Sequence, residues 1–330
     1  MKIKFLIIRF SSIGDIVLTT PVVRCLKKQV EGSEVHYVTK LQFASLLSSN
    51  PYIDKFHYLD KSLNTLIKEL KEAEFDYIID LHHNIRSSII KSNLKAISFS
   101  FNKINIQKWL ITRFKINKLP HKHIVDRYLE TCSLFELVND NKGLDFFIDQ
   151  NNEVDINVFP EIYRQGYIAF VIGAKHATKQ LPNDKIAQLC KSVKLPIVLL
   201  GGKEDFEKAE LIIDHSKKND ILNACGIYNL QQSASLIKQA NIVLTHDTGL
   251  MHIAAAFNKK ILSIWGNTIP EFGMYPYLPK EDYQIFEVKN LKCRPCSKLG
   301  YSKCPKGHFK CMNEQDLKSI AQSCNEYFYL

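Results

Sequence analysis

The sequence predicts two α/β domains, each built on a parallel sheet of the Rossmann type. Three observations carry this prediction. Short apolar runs alternate with segments of helical periodicity, a polar stretch divides the alternation into two series, and loops of small and polar residues follow several of the runs. A chain of 330 residues with 45% hydrophobic residues is long enough to bury two such cores.

The apolar runs and the periodic segments give the predicted elements. The first run, at residues 2–8, is followed by a polar turn and then by a helical pattern that extends to Leu26. Further strands are predicted at 35–38, 77–81, 167–172, 197–200, 242–244 and 261–264. Helices are predicted at 63–71, 184–192, 206–215 and 230–239. Strands that alternate with helices in this way favour parallel pairing with helices on both faces of the sheet.

The polar stretch at 149–155, followed by Pro160, is the predicted linker. We therefore expect a first domain at 1–155 and a second at 156–312. A final helical segment at 313–330 follows a cysteine-rich stretch, and we expect it to cross back to the first domain.

Charge restricts the partners without choosing among them. The net charge of +10 favours an anionic membrane surface, a phosphorylated glycolipid or nucleic acid, and a solvated basic face without a dedicated partner is the alternative. Arg9 interrupts the first apolar run and no small-residue cleavage site follows, so this run predicts a buried strand and no export signal. No uninterrupted apolar stretch approaches the roughly 20 residues of a membrane span.

Ligands of parallel sheets bind beyond the carboxyl ends of the strands, and four loops lie at such positions. In the first loop, at 10–15, Gly14 permits a close turn and Asp15 begins a helix. Two roles for Asp15 stay open on these grounds: a helix cap and a general base.

The other three loops fall in the second half of the chain. Lys175 and Lys179 lie in the loop at 173–182, where they suit a phosphate group or are ordinary surface lysines. Glu204, in the loop at 201–205, suits ribose hydroxyls. The loop at 245–256 opens a helix whose first backbone N–H groups suit a diphosphate. In this loop Thr248 and Gly249 are candidate phosphate contacts, Asp247 suits sugar hydroxyls, and His252 is either packed or functional.

Two common nucleotide fingerprints are missing. No Gly-x-Gly-x-x-Gly follows the first strand, and the Gly-x-x-x-x-Gly-Lys-Ser/Thr pattern is absent from the sequence. Both NAD-dependent oxidoreductases and P-loop ATPases are therefore disfavoured.

Two segments carry a specific pattern: Ile-Ile-Arg-Phe-Ser-Ser-Ile-Gly-Asp-Ile-Val-Leu-Thr-Thr-Pro at 7–21 and Asp-Thr-Gly-Leu-Met-His-Ile-Ala-Ala-Ala at 247–256. Together they resemble glycosyltransferase family 9, the ADP-heptose:lipopolysaccharide heptosyltransferases. The resemblance in organisation extends over essentially the whole chain. It implies the GT-B architecture, in which two Rossmann-like domains face a central cleft, with the acceptor on the N-terminal domain and the nucleotide sugar on the C-terminal domain.

The resemblance also implies roles for individual residues. Asp15 becomes the general base, and Lys179, in Thr-Lys-Gln-Leu-Pro against the family's Thr-Lys-x-Trp-Pro, neutralises the leaving diphosphate. Leu181 replaces the usual aromatic residue. The donor is then expected to contact Ser12, Gly14, Lys175, Thr178, Glu204, Asp247, Thr248, Gly249 and His252.

The acceptor side rests on two further matches. Asp-Leu-His-His-Asn-Ile-Arg-Ser at 80–87 resembles the family's Asp-Leu-Gln-Gly-Asn-x-Arg-Ser, and His-Ile-Val-Asp-Arg-Tyr at 123–128 resembles His-x-Val-x-Arg-Tyr. The two histidines that replace Gln-Gly leave room for a different acceptor. Candidate acceptor-binding residues are Ser11, His82, Asn84, Arg86, His123 and Arg127. The guanidinium groups of the two arginines suit phosphates or carboxylates.

The cysteines give a separate hypothesis. Cys293, Cys296, Cys304 and Cys311 have the paired spacing of a structural zinc site, while buried free thiols explain the same pattern. The family's catalysis needs no metal, so zinc is expected to be structural where it binds at all.

The resemblance thus implies an inverting, metal-independent glycosyltransferase. Its expected donor is ADP-heptose, its acceptor is a phosphorylated glycolipid of the lipopolysaccharide inner core, and its place is the cytoplasmic face of the inner membrane. One alternative keeps the fold and uses another nucleotide sugar on a different surface glycan. A different class, a nucleic-acid-binding protein with a zinc ribbon, leaves the four sheet-end loops unexplained, so no nucleic-acid partner is expected.

Overall fold

The structure, a computed structural model, describes residues 2–280 and 282–326. The chain divides into two compact units: Met1–Ile104 with His121–Phe147, and Asn105–Pro120 with Ile148–Leu330. The division at Phe147 lies just before the linker predicted at 149–155. The predicted boundary did not foresee that Asn105–Pro120 groups with the second unit.

The first unit contains a five-stranded parallel sheet with the strand order β3-β2-β1-β4-β5. Its elements are β1 (Ile3–Ile8), α1 (Ile13–Val17), α2 (Thr20–Gln29), β2 (Ser33–Lys40), β3 (Lys55–Leu59), α3 (Leu63–Ala73), β4 (Tyr77–Asp80), α4 (Ile85–Leu94) and β5 (Ile97–Ser100). The helix α5 (Asn105–Phe114) belongs to the second unit, and α6 (Ile124–Glu130) returns to the first.

The central strands follow from their apolar runs. The last four residues of β1 are buried, and Leu6, Ile8 and Ile78 share one core with apolar residues of α3 and α4. The edge strands β3 and β5 escaped prediction, because the sequences Lys-Phe-His-Tyr-Leu and Ile-Ser-Phe-Ser mix polar and apolar residues without a continuous run.

The helical pattern predicted after the first loop is broken in the structure. It forms two helices, α1 and α2, and Pro21 lies in the first turn of the second. Proline suits that position, because it lacks the N–H group that a helix interior needs.

The second unit contains a six-stranded parallel sheet with the order β11-β10-β9-β6-β7-β8. Its elements after α5 are α7 (Glu161–Arg164), β6 (Ile168–Val171), α8 (Asn183–Ser192), β7 (Ile197–Leu200), α9 (Phe206–Ser216), β8 (Ile221–Asn223), α10 (Leu230–Gln239), β9 (Ile242–His246), α11 (Gly249–Ala256), β10 (Lys260–Trp265), β11 (Tyr283–Glu287), α12 (Lys310–Asn313) and α13 (Leu317–Asn325).

The last helix covers the core of the second unit. Ile320, Ala321 and Cys324 of α13 are buried in the cluster that includes Leu189 and Cys190 of α8. The final helical segment was expected to cross back to the first domain; its apolar face is instead filled within its own unit. Residues 327–330 of the predicted segment lie outside the described residues.

Strand order determines where a ligand can bind in each unit. The order reverses between β1 and β4 in the first sheet and between β6 and β9 in the second. At such a switch point the connections leave in opposite directions, so a crevice opens at the carboxyl ends of the strands. Within the described ranges 2–280 and 282–326, no helix is long and apolar enough to cross a membrane.

A buried ion-pair cluster closes the first unit. Arg24 of α2 is 2% exposed and binds Asp140 with its Nε and Nη2 atoms, at 2.8 and 2.7 Å. It also pairs with Asp145 and donates to the Gly143 carbonyl at 2.8 Å. The guanidinium group therefore holds the end of the first unit's chain against α2.

We expect Arg24→Met to lower the free energy of unfolding of the first unit by about 3–5 kcal/mol, since it leaves two carboxylates without their buried partner. The matched control on the same helix is Lys27→Met, because the Lys27–Asp54 pair is about one-third exposed and such a pair contributes about 1 kcal/mol or less. Urea unfolding followed by circular dichroism measures both variants. Equal losses in the two variants would contradict a special role for Arg24.

Candidate active site

In the first unit, an arginine holds Asp15 at the carboxyl edge of the sheet. Arg9 is 8% exposed, and its Nη2 atom lies 2.6 Å from Asp15 Oδ1. The same guanidinium group donates to the Ser11 carbonyl at 2.8 Å, to the Leu81 carbonyl and to the Tyr128 hydroxyl at 3.0 Å. Arg9 thus fixes the orientation of Asp15 and compensates its charge at the end of β1.

Asp15 also caps its helix. Its Oδ2 atom accepts hydrogen bonds from the backbone N–H of Ser12 at 3.1 Å and from the Ser12 hydroxyl at 2.7 Å. Ser12 is thus the N-cap residue and Asp15 the third helical residue of its capping box, a position that is compatible with the role of a base, because about one-fifth of the Asp15 side chain stays exposed. Gly14 is buried beneath this turn.

The loop after β4 begins at the neighbouring strand end. Asp80 Oδ1 accepts the N–H groups of His82 and His83, at 3.1 and 2.6 Å, and its other oxygen pairs with Lys91 at 3.0 Å. Burial, with the charges of Arg9 and Lys103 nearby, lowers the pKa of His82 to about 4. His82 is therefore neutral at physiological pH.

Other predicted acceptor residues take structural positions in this conformation. Asn84 forms a capping box with Ser87 at the start of α4, and Arg86 next to it is exposed. His123 accepts the Val125 N–H at 3.2 Å as the cap of α6. Arg127 is 6% exposed, with its guanidinium group 5.4 Å from the Phe101 ring centre. Of the two arginines, Arg86 is the one open to an anionic group.

In the second unit, a lysine and an aspartate meet at the switch point. Lys179 Nζ lies 2.6 Å from Asp247 Oδ2 and 3.3 Å from the Asp247 carbonyl oxygen. The same Oδ2 atom accepts a hydrogen bond from the Thr268 hydroxyl at 2.8 Å. Loops after β6, β9 and β10 therefore converge on one carboxylate, although 68 residues separate Lys179 from Asp247.

The glycine loops leave little room at the neighbouring strand ends. A Cβ atom on Gly173 would lie 2.2 Å from Asp205 Oδ2 and 3.3 Å from the Gly201 Cα atom. Asp205 is buried and accepts the Gly202 N–H at 3.0 Å, while Glu204 beside it is exposed. Gly173 and Gly201 are thus both required by packing against Asp205. Glu204 is the carboxylate that faces solvent.

The helix α11 presents the predicted first turn. Thr248 is its N-cap residue and Gly249 is its first residue, so its free N–H groups begin one position after Asp247. His252 is 2% exposed within the helix. In the loop after β6, Lys175 is exposed, whereas the Thr178 hydroxyl forms hydrogen bonds with the backbone N–H and carbonyl of Tyr301, at 2.8 and 3.2 Å. Thr178 therefore positions the loop.

Two residues of the cysteine-rich segment, Arg294 and Tyr301, bind these loops by hydrogen bonds. Arg294 donates from Nε to the Gly266 carbonyl at 2.6 Å and from Nη2 to the Thr268 carbonyl at 2.8 Å, and it pairs with Glu287 at 2.6 Å. Arg294 thus ties the segment to the loop after β10, which carries Thr268, and Tyr301 ties it to the loop after β6, which carries Lys179.

The structure does not gather the four cysteines as metal ligands. Cys293 Sγ lies 3.9 Å from His308 Nε2, and the Cys296 thiol donates to the Cys293 carbonyl at 3.1 Å. Among residues 2–280 and 282–326, no three His, Cys, Asp or Glu side chains lie where they could hold a metal ion. The predicted four-thiolate zinc site is therefore not formed here, and burial raises the pKa of Cys296 to about 11 and of Cys311 to about 12.

Sequence reasoning missed several residues of the two clusters. Arg9 lies inside the motif at 7–21, but nothing in the pattern separated it from a surface arginine. Thr268 and Asn267 follow a predicted strand, and a search for polar residues after every strand would have found them. Asn267 is 2% exposed, and among residues 2–280 and 282–326 neither atom of its side-chain amide has a hydrogen-bond partner. This buried amide precedes Thr268, whose hydroxyl binds Asp247.

Two Rossmann-like units with parallel sheets are the architecture of the GT-B glycosyltransferases, and each unit places an ion pair at its switch point. The sequence at residues 63–304 matches glycosyltransferase family 9 (heptosyltransferase), so the chain belongs to this family. The predicted fold class and family are confirmed, and the protein is a glycosyltransferase.

Individual relatives agree over most of the chain. The lipopolysaccharide heptosyltransferase 1 of Campylobacter coli is 25% identical over 288 residues, which is 80% of this chain and 84% of the relative. The lipooligosaccharide heptosyltransferase 2 of Haemophilus ducreyi is 26% identical, over 82% and 85% of the two chains. The solved ADP-heptose lipopolysaccharide heptosyltransferase II of E. coli shares the fold with a TM-score of 0.70 at 19% identity, over 97% of this chain and all of that one.

The buried His246 gives a pH-dependent prediction for the second unit. Its Nε2 atom accepts the Leu181 N–H at 3.0 Å, so this nitrogen must be unprotonated. Burial, with the charge of Lys208 adding to it, lowers the pKa of His246 to about 3. The unfolded chain takes up this proton near pH 6.5, so the stability that His246 contributes is complete above that pH and is lost as the pH falls towards 3.

We expect the free energy of unfolding to fall by up to about 1.4 kcal/mol per pH unit below pH 6 through this one group. In His246→Gln, an amide oxygen can accept the Leu181 N–H at any pH, so the profile should be flatter by that amount. Urea unfolding of both proteins between pH 7 and pH 4 measures the difference. If the free energy of unfolding depends on pH equally in both proteins, His246 is not the source of the pH dependence.

Proposed function

We propose that this glycosyltransferase moves a heptose, with inversion, from ADP-heptose to a hydroxyl group of the lipopolysaccharide inner core. The observation that carries the proposal is the Lys179–Asp247–Thr268 cluster beside the first turn of α11. The heptosyltransferase relatives from Campylobacter coli and Haemophilus ducreyi support heptose as the sugar and lipopolysaccharide or lipooligosaccharide as the acceptor.

The second unit has the chemistry that a nucleotide-diphosphate donor needs. A helix N-terminus that begins at Gly249 offers N–H groups and a partial positive charge to the phosphates. Lys179 brings a full charge to the same place and is held there by Asp247. As the bond from the anomeric carbon to the diphosphate oxygen breaks, negative charge grows on the ADP, and Lys179 stabilises it.

The first unit supplies the base. The acceptor hydroxyl gives its proton to Asp15 while its oxygen forms the bond to the anomeric carbon on the face opposite to the leaving ADP. Arg9 holds the Asp15 carboxylate in its orientation before the reaction, through the ion pair of 2.6 Å between Nη2 and Oδ1. Ser11 and the exposed Arg86 are proposed acceptor contacts, the arginine towards a phosphate or carboxylate group.

Membrane association belongs to the same proposal. An acceptor with a lipid anchor lies at a bilayer surface, so we place the enzyme at the cytoplasmic face of the inner membrane, bound peripherally through its positive charge. The second candidate is another nucleotide sugar and another surface glycan. His82 and His83, which replace the family's Gln-Gly, favour it, and a panel of donors and acceptors separates the two candidates.

Asp15→Asn tests the base. An amide of the same shape still accepts hydrogen bonds from Ser12 but cannot take the proton, so kcat should fall by about 10² to 10⁴-fold. Transfer from ADP-heptose to a heptose-deficient core measures the rate, and calorimetry should show unchanged ADP binding. The exposed Asp60→Asn serves as the control and should keep wild-type activity. Transfer by Asp15→Asn within tenfold of wild type would remove Asp15 from this role.

Lys179→Met tests the leaving-group cation. We expect kcat to fall by about 10² to 10³-fold, as it does when a stabilising group for developing charge is lost. Lys175→Met is the matched control in the same loop, because that side chain is exposed and far less constrained, and its loss should be below tenfold. Wild-type transfer should persist in EDTA, in keeping with the proposed metal independence. Equal losses in the two lysine variants would count against a specific role for Lys179.

A further inference from the structure

The positive charge of this protein is concentrated in one stretch of the sequence. Residues 81–125 contain nine lysine and arginine residues and no aspartate or glutamate. Since the net charge of the whole chain is +10, this stretch accounts for nine of those ten charges. The remaining sequence is nearly neutral, so the attraction of the protein for anions originates here.

The middle of this stretch, α5 with the residues up to Lys118, exposes large apolar side chains. Ile106 is 72% exposed, Trp109 55%, Phe114 54% and Ile116 48%. Three of them lie on one side of the helix, at positions i, i+3 and i+8. The Trp109 and Phe114 rings contact each other edge to face, with their centres 5.0 Å apart. We call residues 105–118 the α5 surface.

The opposite side of α5 is fastened to the second unit. Ile111 is buried, and Lys115 Nζ donates to the carbonyls of Cys293 and Pro295 at 3.1 and 2.7 Å. Lys298 donates to the Asn105 side chain at 3.3 Å. The helix is therefore ordered with its apolar residues directed outward, next to the exposed Arg113 and Lys118.

We propose that the α5 surface docks this enzyme on an anionic lipid bilayer. This inference rests on the proposed function, in which the acceptor is anchored in a membrane. Tryptophan and phenylalanine insert at the boundary between headgroups and acyl chains, and isoleucine side chains bury in the hydrocarbon. Lysine and arginine residues at the rim reach the lipid phosphates, each contributing roughly a fivefold gain in binding.

Charge and composition favour a bilayer over other occupants. A second copy of this chain would bring two strongly positive surfaces together, which costs free energy. A nucleic acid would use the basic residues and stack on the aromatic rings, yet it offers nothing to Ile106 and Ile116. A bilayer with anionic lipids satisfies the aromatic, aliphatic and basic side chains at the same time.

Tryptophan fluorescence reports on the contact directly. The chain has two tryptophans, and Trp265 is 1% exposed with its indole N–H bound to the Ser263 hydroxyl at 3.0 Å. A blue shift on adding vesicles therefore comes from Trp109. We expect it with vesicles of phosphatidylglycerol and phosphatidylethanolamine at low salt, and not with phosphatidylcholine vesicles.

Matched variants distinguish vesicle binding through the α5 surface from nonspecific binding of the protein to vesicles. By vesicle sedimentation, Arg113→Gln with Lys118→Gln should bind roughly 20-fold more weakly, and Trp109→Ser with Phe114→Ser at least tenfold more weakly. The controls carry the same changes on other exposed residues of the second unit and should stay within twofold of wild type. They are Lys191→Gln with Lys306→Gln, and Leu211→Ser with Ile162→Ser.

The outcomes distinguish this inference from the proposed function. If the α5 variants lose vesicle binding but still transfer sugar to a detergent-dissolved acceptor, the α5 surface is the docking site. If wild type transfers no heptose yet binds vesicles through α5, the proposed function fails and the docking surface stands. Wild-type binding that is no tighter on anionic vesicles, equal losses in the control variants, or tighter binding to a short RNA than to vesicles would overturn the inference.

Discussion

The reversal of strand order in each sheet is the constraint on which the site depends. Crossover connections from neighbouring strands cover opposite faces, so the backbone at the reversal is left uncovered at the carboxyl edge. In the first unit this point lies between β1 and β4, and in the second between β6 and β9. Asp15 follows β1, Lys179 follows β6 and Asp247 follows β9. Within the second unit, Lys179 and Asp247, 68 residues apart in sequence, therefore meet at the same sheet edge.

The two reversal points carry similar electrostatic devices. In each, a carboxylate and a cation lie 2.6 Å apart while partly shielded from water, so each holds the other in place. Their purposes in the proposed reaction are opposite. The Arg9–Asp15 pair presents the carboxylate as the working group and the arginine as its support, whereas the Lys179–Asp247 pair presents the lysine and uses the carboxylate as support. The proposed reaction decides which residue of each pair acts on the substrates. A carboxylate must take the proton of the acceptor hydroxyl, and a cation must compensate the negative charge of the leaving diphosphate.

Much of this arrangement could be predicted from the sequence, because buried parallel strands consist of continuous runs of apolar residues. The strands β1, β6, β7 and β9 were predicted for that reason, and the loops after them led to Asp15, Lys179 and Asp247. Edge strands such as β3 and β8 carry no such run. The capping and packing contacts of Asn84, His123 and Thr178 depend on which neighbour each side chain meets, and motif spacing contains no information on that. The same is true of the excursion of α5 into the second unit.

The cysteine-rich segment shows how a residue pattern and its three-dimensional role can differ. Spacing drew attention to four thiols, but the contacts that bear on the site are made by Arg294 and Tyr301, which lie between them. Arg294 binds carbonyls on both sides of Asn267, and Thr268 in turn binds Asp247. The segment also receives Lys115 from α5. One stretch thus joins the helix proposed to meet the membrane with the loops proposed to hold the donor. Because these contacts are made through backbone carbonyls, they fix the backbone of the segment relative to Lys115 of α5 and relative to the loop after β10.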